Sequence, residues 1–403
     1  MNLFDHPIQL LIPFIAAFVG WFTNVVAVKM MFWPLEFKGI KPFLGWQGIV
    51  PANAVRLAST GLKLVTTQLL KIPELFADFD AKEFVDEHGQ DILKATRETF
   101  DEMATKHMPG WETMPAPNKE FVFTMVSNDV KQLSADVLDD SANRIEELMD
   151  IQDIVVRSVE QNPALMGDVF LKVGGAEFKF IERSGLYFGF VFGLIQLLVW
   201  LLYPANWVLP FFGFLVGYAT NWLAIKLIFQ PKVARKIGPF TVHGLFHRRQ
   251  KEIAVKFAEI NSEEIFTPDN LFNELSKPSS KAVMLSMVQT RAEAMLGKYQ
   301  KNPMLGGLLT PELITELEGQ LMVRVEEEMF KKGGVVYAFT NKSAQIQDEL
   351  RERMKVMDAD GFENVLRPAF QQDEWKLILA GAVLGLGAGV LQLVGLFGDL
   401  VAS

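Results

Sequence analysis

The sequence predicts an all-α polytopic membrane protein with four transmembrane helices in two tandem parallel repeats and helical cytoplasmic modules. Three observations predict it. Four stretches of the 403-residue chain are apolar over the roughly 20 residues that a bilayer crossing needs. One motif is written twice, as Gly20-Trp21-Phe22-Thr23-Asn24 through Pro34 and as Gly217-Tyr218-Ala219-Thr220-Asn221 through Pro231. The polar regions show amphipathic helical spacing and no strand-like alternation.

Composition bounds the function. Half of the residues are hydrophobic, high for an ordinary soluble chain. Cysteine is absent, which excludes disulfides, thiolate metal sites and a cysteine nucleophile. The net charge is −9, so the chain as a whole is a poor partner for nucleic acid.

In chain order, residues 1–34 carry the first span and residues 35–182 a first helical cytoplasmic module. Residues 183–203 form the second span, and 204–231 an outer turn and the third span. Residues 232–374 form a second helical module, and 375–403 the fourth span. The start, Met1 to His6, lacks the basic segment of a signal peptide, so the first apolar stretch is not expected to be one. Lysine and arginine set the orientation. Lys29, Lys38, Lys41 and Arg56 follow span one, and Lys172, Lys179 and Arg183 precede span two. Lys226, Lys232, Arg235 and Lys236 follow span three, and Lys376 precedes span four. Both polar regions are therefore expected on the cytoplasmic side, and both termini and the short central turn outside.

The repeat extends beyond the motif. Pro13-Phe14 matches Pro210-Phe211, and Ile40, Pro42 and Phe43 match Ile237, Pro239 and Phe240. Gly185, Gly189, Gly193 and Gln196 match Gly381, Gly385, Gly389 and Gln392. Each half holds two spans, so both insert the same way up. Glycines four apart share one helix face and let two backbones approach, so spans two and four read as glycine zippers. Gly213 and Gly217 supply the same face on span three, and Ala16 with Gly20 on span one.

Thr23, Asn24, Lys29, Thr220, Asn221 and Lys226 form the intramembrane polar motif. Gly20, Asn24, Ala27 and Met31 share one helical stripe, as do Gly217, Asn221, Ala224 and Ile228. Two readings stay open. The Thr and Asn side chains bond neighbouring helices, with the lysines reaching toward the interface. Alternatively they line a polar path. Against a proton- or cation-coupled path, the only acid at depth is Asp399 near the outer end.

The polar regions read as helix throughout. Asp80-Ala81-Lys82-Glu83 is an N-terminal capping signal, Met108–Pro117 a loop, and Asn118 to about Asp150 a long amphipathic helix. Thr267-Pro268 and Thr310-Pro311 read as N-cap followed by proline, and a helix from Pro311 ends at Gly333-Gly334. No phosphate loop, nucleophile elbow or catalytic triad order is visible, and no cofactor is implied. His243 and His247 stand four apart but lack a third ligand, so no metal site is expected. Lys232, Arg235, Lys236, Arg248, Arg249 and Lys251 gather just beyond span three. They set topology, and they are candidates for contact with lipid head groups.

The stretch Thr220-Asn221-Trp222-Leu223-Ala224-Ile225-Lys226, Pro231, Pro239-Phe240 and Gly244-Leu245-Phe246-His247-Arg248-Arg249-Gln250-Lys251-Glu252 resembles the bacterial membrane family known as domain of unknown function 445, which includes YheB-like proteins. His247 stands where that family has proline. The first copy has Ala52-Asn53 in place of the arginine pair, so the pair occurs only in the second half. The resemblance implies a bacterial membrane protein and no reaction. The expectation is a non-enzymatic, self-associating structural or scaffold protein that partners membrane lipids and its own copies. The alternative is a transporter or channel for a lipid or small solute.

Overall fold

The structure, a computed structural model, describes residues 7–40, 44–69, 79–301, 311–341, 343–367, 371 and 374–397. Met1–His6, Lys41, Pro42, Phe43, Thr310 and Asp399 therefore lie outside the described residues. The helices before the middle of the chain are α1 (Ile12–Phe32), α2 (Ile49–Ala52), α3 (Ala54–Leu64), α4 (Ala81–His88), α5 (Gln90–His107), α6 (Ala116–Asn143), α7 (Ile145–Leu148), α8 (Ile151–Gln161) and α9 (Leu165–Leu202). They continue as α10 (Val208–Phe229), α11 (Leu245–Arg248), α12 (Gln250–Ile260), α13 (Pro268–Leu275), α14 (Pro278–Gln300) and α15 (Pro311–Met329). The last are α16 (Val335–Thr340), α17 (Ser343–Val356), α18 (Ala359–Leu366) and α19 (Glu374–Gln392).

The protein is mostly helical, and four of its helical segments are long and apolar enough to cross a membrane: Ile8–Phe32, Leu165–Leu202, Val208–Phe229 and Glu374–Leu396. The expected boundary between module and span at residues 182 and 183 falls inside α9, which runs unbroken for 38 residues. No proline interrupts it. Gly174-Gly175 cost only about 1 kcal/mol each in a helix interior, too little to break a packed one.

Strands are also present, contrary to the all-helical expectation. Lys38–Ile40 (β1) pairs antiparallel with Leu44–Trp46 (β2), Gly39 opposite Gly45. Arg235–Ile237 (β3) pairs with Phe240–Val242 (β4), Lys236 opposite Thr241. Three residues are too few to print an alternation in sequence. In each case the hairpin begins six residues after a span ends, past a cis X-Pro bond: Trp33-Pro34 and Gln230-Pro231.

The chain divides into two compact units. The first comprises residues 1–69, 155–260 and 350–403 and contains all four apolar helices. There α1 packs along α9, and α10 along α19. At one end of the spans Ile12, Trp200, Val208, Leu209 and Phe212 form a buried cluster.

The second unit is built from both polar regions together, residues 70–154 and 261–349. The sequence predicts two separate modules; here they share one core. The reason is the apolar faces of α5, α6, α14 and α15, which find partners across the two regions: α6 meets α14, and α5 meets α15. Met103 packs on Tyr299, and the Ser280 hydroxyl donates to the Leu148 carbonyl at 2.8 Å. The caps at the helix starts are as expected. Asp80 accepts from the Lys82 and Glu83 amides, and Thr267 from the Asn270 amide.

Candidate functional site

The polar motif sits where paired helices cross most closely. A Cβ on Gly189 would lie 2.5 Å from the Ala16 carbonyl oxygen, and one on Gly193 would lie 2.6 Å from the Pro13 Cα. Gly20 and Gly185 face each other's backbone in the same contact. The other pair repeats the arrangement. Gly213 meets Gly385, Gly217 meets Gly381, and a Cβ on Gly389 would lie 2.5 Å from the Leu209 carbonyl oxygen. Only glycine lets these backbones approach so far.

Beside each crossing an asparagine is spent on the partner backbone. Asn24 Nδ2 donates to the Ile181 carbonyl at 2.7 Å, and Asn221 Nδ2 to the Leu377 carbonyl at 2.9 Å. Thr23 Oγ1 donates to the Gly20 carbonyl within its own helix at 3.1 Å. Thr220 Oγ1 instead reaches Asn24 Oδ1 at 3.3 Å, joining the third span to the first. All four side chains are buried. Asn221 Oδ1, also buried, has no hydrogen-bond partner among the described residues.

Lys29 and Lys226 do not join this cluster. Both are exposed, and Lys226 Nζ lies 4.7 Å from the centre of the Trp222 ring. The predicted six-residue motif is thus four buried residues and two lysines pointing away.

At the far end of the third span the basic group also divides. Arg249 Nη1 lies 2.6 Å and 2.7 Å from the two oxygens of Glu177 on α9, and its Nη2 lies 2.7 Å from Glu252. Hydrogen bonding to Glu252, opposed by burial and reinforced by Glu177, raises the guanidinium above its ordinary range. The same bond, with one from Lys256, pulls Glu252 down to about 2.

Lys232 Nζ lies 2.5 Å from Asp360 and 3.0 Å from Glu363 on α18. Burial pushes Glu363 up, but hydrogen bonds from Lys232 and Arg367 outweigh it and hold the carboxylate below its ordinary value. His247 Nε2 lies 3.6 Å from Glu363, beyond a hydrogen bond, and burial holds the imidazole below its ordinary value. His243 points elsewhere, its Nε2 3.2 Å from the Lys232 carbonyl. Among the described residues no group of three His, Asp or Glu side chains could hold a metal.

Arg235, Lys236, Arg248 and Lys251 are exposed and make no ion pair among the described residues. Lys232 and Arg249, expected at lipid head groups, are instead engaged by carboxylates. Glu177, Glu363 and Asp360 were not legible as their partners. The one signal is Glu177 inside the otherwise apolar-leaning run from Phe170 to Phe180.

No family model matches the chain, and no solved structure matches it. It is similar to a UPF0754 membrane protein of Exiguobacterium sibiricum, 23% identical over 201 residues, 47% of this chain and 52% of the relative. A UPF0754 membrane protein of Shouchella clausii is 28% identical over 150 residues, 35% of this chain and 38% of the relative. One from Bacillus cereus is 28% identical over 133 residues, 32% of each chain. The matched part spans about half the length of these relatives, or less. None of these names specifies an activity, and none is the family name the sequence suggests. By its four apolar helices and its relatives, this is a membrane protein similar to the bacterial UPF0754 membrane proteins.

Proposed function

We propose that the chain is a non-enzymatic structural or scaffold protein of the bacterial inner membrane that self-associates. In this reading the two halves are tandem repeats inserted the same way up, their polar regions cytoplasmic and both termini outside. The observation that favours a structural role over a transport path is how the intramembrane polar atoms are used. The Asn24 and Asn221 amides each bind a facing backbone carbonyl beside a glycine crossing, which is the work of helix packing. The repeat reading is supported by the matching contacts of the two pairs. Gly48 donates to the Pro34 carbonyl, and Gly244 to the Pro231 carbonyl, each at 2.9 Å.

A second reading, a transporter or channel, is favoured by one observation. The Thr220–Asn24 bond puts polar atoms between the halves at the depth of the crossings. The double variant Asn24→Ala with Asn221→Ala separates the two. Weakened packing and loss of assembly are expected for a scaffold. Intact assembly with lost solute flux in vesicles would favour transport. Purified protein that hydrolysed a nucleotide, ester or phosphate substrate would overturn the non-enzymatic reading.

A further inference from the structure

We propose that Arg235, Lys236, Arg248 and Lys251 form a binding surface for the phosphates of anionic phospholipid head groups. This rests on α10 being a membrane span. Residues 230–251 hold six basic side chains and no acidic one, in a chain of net charge −9. Two of the six are neutralised within the fold: Lys232 by Asp360 and Glu363, and Arg249 by Glu177 and Glu252. The other four are exposed and keep their charge uncompensated among the described residues.

Their placement fits a lipid rather than a free anion. The β3–β4 hairpin begins six residues after the last residue of α10 and returns the chain to Val242, opposite Arg235. The Gly244 amide then bonds the Pro231 carbonyl at 2.9 Å, tying the start of α11 to the exit of the span. Hairpin and helix are thus both held where a bilayer's phosphates would lie if α10 crosses it. Val233, beside them, is 71% exposed, apolar surface suited to the acyl boundary. Arginine adds a planar fork that binds phosphate oxygens in pairs. The first half has a matching hairpin with exposed Lys38, but Ala52-Asn53 replaces the arginine pair, so the surface belongs to the second half.

The test uses the full chain reconstituted in phosphatidylcholine vesicles with trace spin-labelled lipids. The quantity read is the association of phosphatidylglycerol relative to phosphatidylcholine at the protein. A preference of about five-fold or more is expected, the effect of at least one basic residue near the surface. In the variant R235Q/K236Q/R248Q/K251Q it should fall toward one. About 1 M salt, which shortens screening to about 3 Å, should do the same to the unmodified protein. No preference in the unmodified protein, or one that survives either the substitutions or high salt, would overturn the site. Absence of any motionally restricted lipid, of either head group, would instead overturn the span itself.

Discussion

Arg249 grips Glu177 through both carboxylate oxygens, at 2.6 and 2.7 Å. The two residues lie 72 positions apart, one in the turn between α11 and α12 and one within α9. Glu177 is almost fully buried. The neighbouring Arg248 points outward, so adjacent arginines have opposite roles.

Removing one side of this pair leaves a buried charge alone. Arg249→Gln should destabilise the protein by about 3–5 kcal/mol, whereas Arg248→Gln should change stability by no more than about 0.5 kcal/mol. Arg249→Lys should recover part of the loss, because the charge remains and the fork does not. Thermal unfolding in detergent reads all three. Equal effects at the two arginines would contradict the assignment.

The glycine crossings predict a positional pattern. Alanine at Gly189 or Gly389 forces a methyl group to 2.5 Å from a facing carbonyl oxygen and should destabilise by about 1–3 kcal/mol. Gly387, on the same helix as Gly389, has nothing within 4 Å of its added Cβ. Gly387→Ala should be neutral or slightly stabilising. The melting temperatures of the three variants check the ordering.

Asn24→Ala removes two bonds to neighbouring spans and Asn221→Ala removes one. Each should cost about 0.6–2 kcal/mol, and Asn24 more than Asn221, because it also accepts from Thr220. Resistance to unfolding in a denaturing-detergent titration measures this directly. No loss in either variant would remove the packing role.

Acid should loosen the end of the third span in two steps. His247 is buried with its pKa below 6.5, so the unfolded chain takes its proton more readily than the folded one. Its contribution is complete above 6.5 and is lost as pH falls through the folded value. Glu363 and Glu252 titrate below 4.5 when folded, so their contribution is present above 4.5 and is lost as pH falls through their folded values, about 2 for Glu252. Melting temperature against pH should therefore begin to drop near 6.5, and His247→Gln should abolish that first drop while leaving the second. A rise in melting temperature between about pH 7 and pH 5 would contradict the sign.

The spans and crossings were legible because a hydrocarbon environment constrains composition strongly. Twenty apolar residues and glycines in matched register leave few alternatives, and Asn24 and Asn221 stand out because polar groups there need partners. The ion pairs were not legible. A carboxylate such as Glu363 has no periodic signature, and its partner Lys232 lies 131 positions earlier. For the same reason the shared core of the second unit was hidden. Helical periodicity reports that α6 and α14 each need a cover, and not that they cover each other. The hairpins escaped because their strands are three residues long, too short to show an alternation.

Self-association is the central claim, and the mass of the detergent-solubilised particle, by light scattering with the detergent subtracted, tests it most directly. A uniform particle at a fixed multiple of 45.4 kDa, imaged as one closed assembly, is the predicted result. A monodisperse particle of 45.4 kDa would contradict it and leave the buried Thr220–Asn24 contact as the place to search for a ligand.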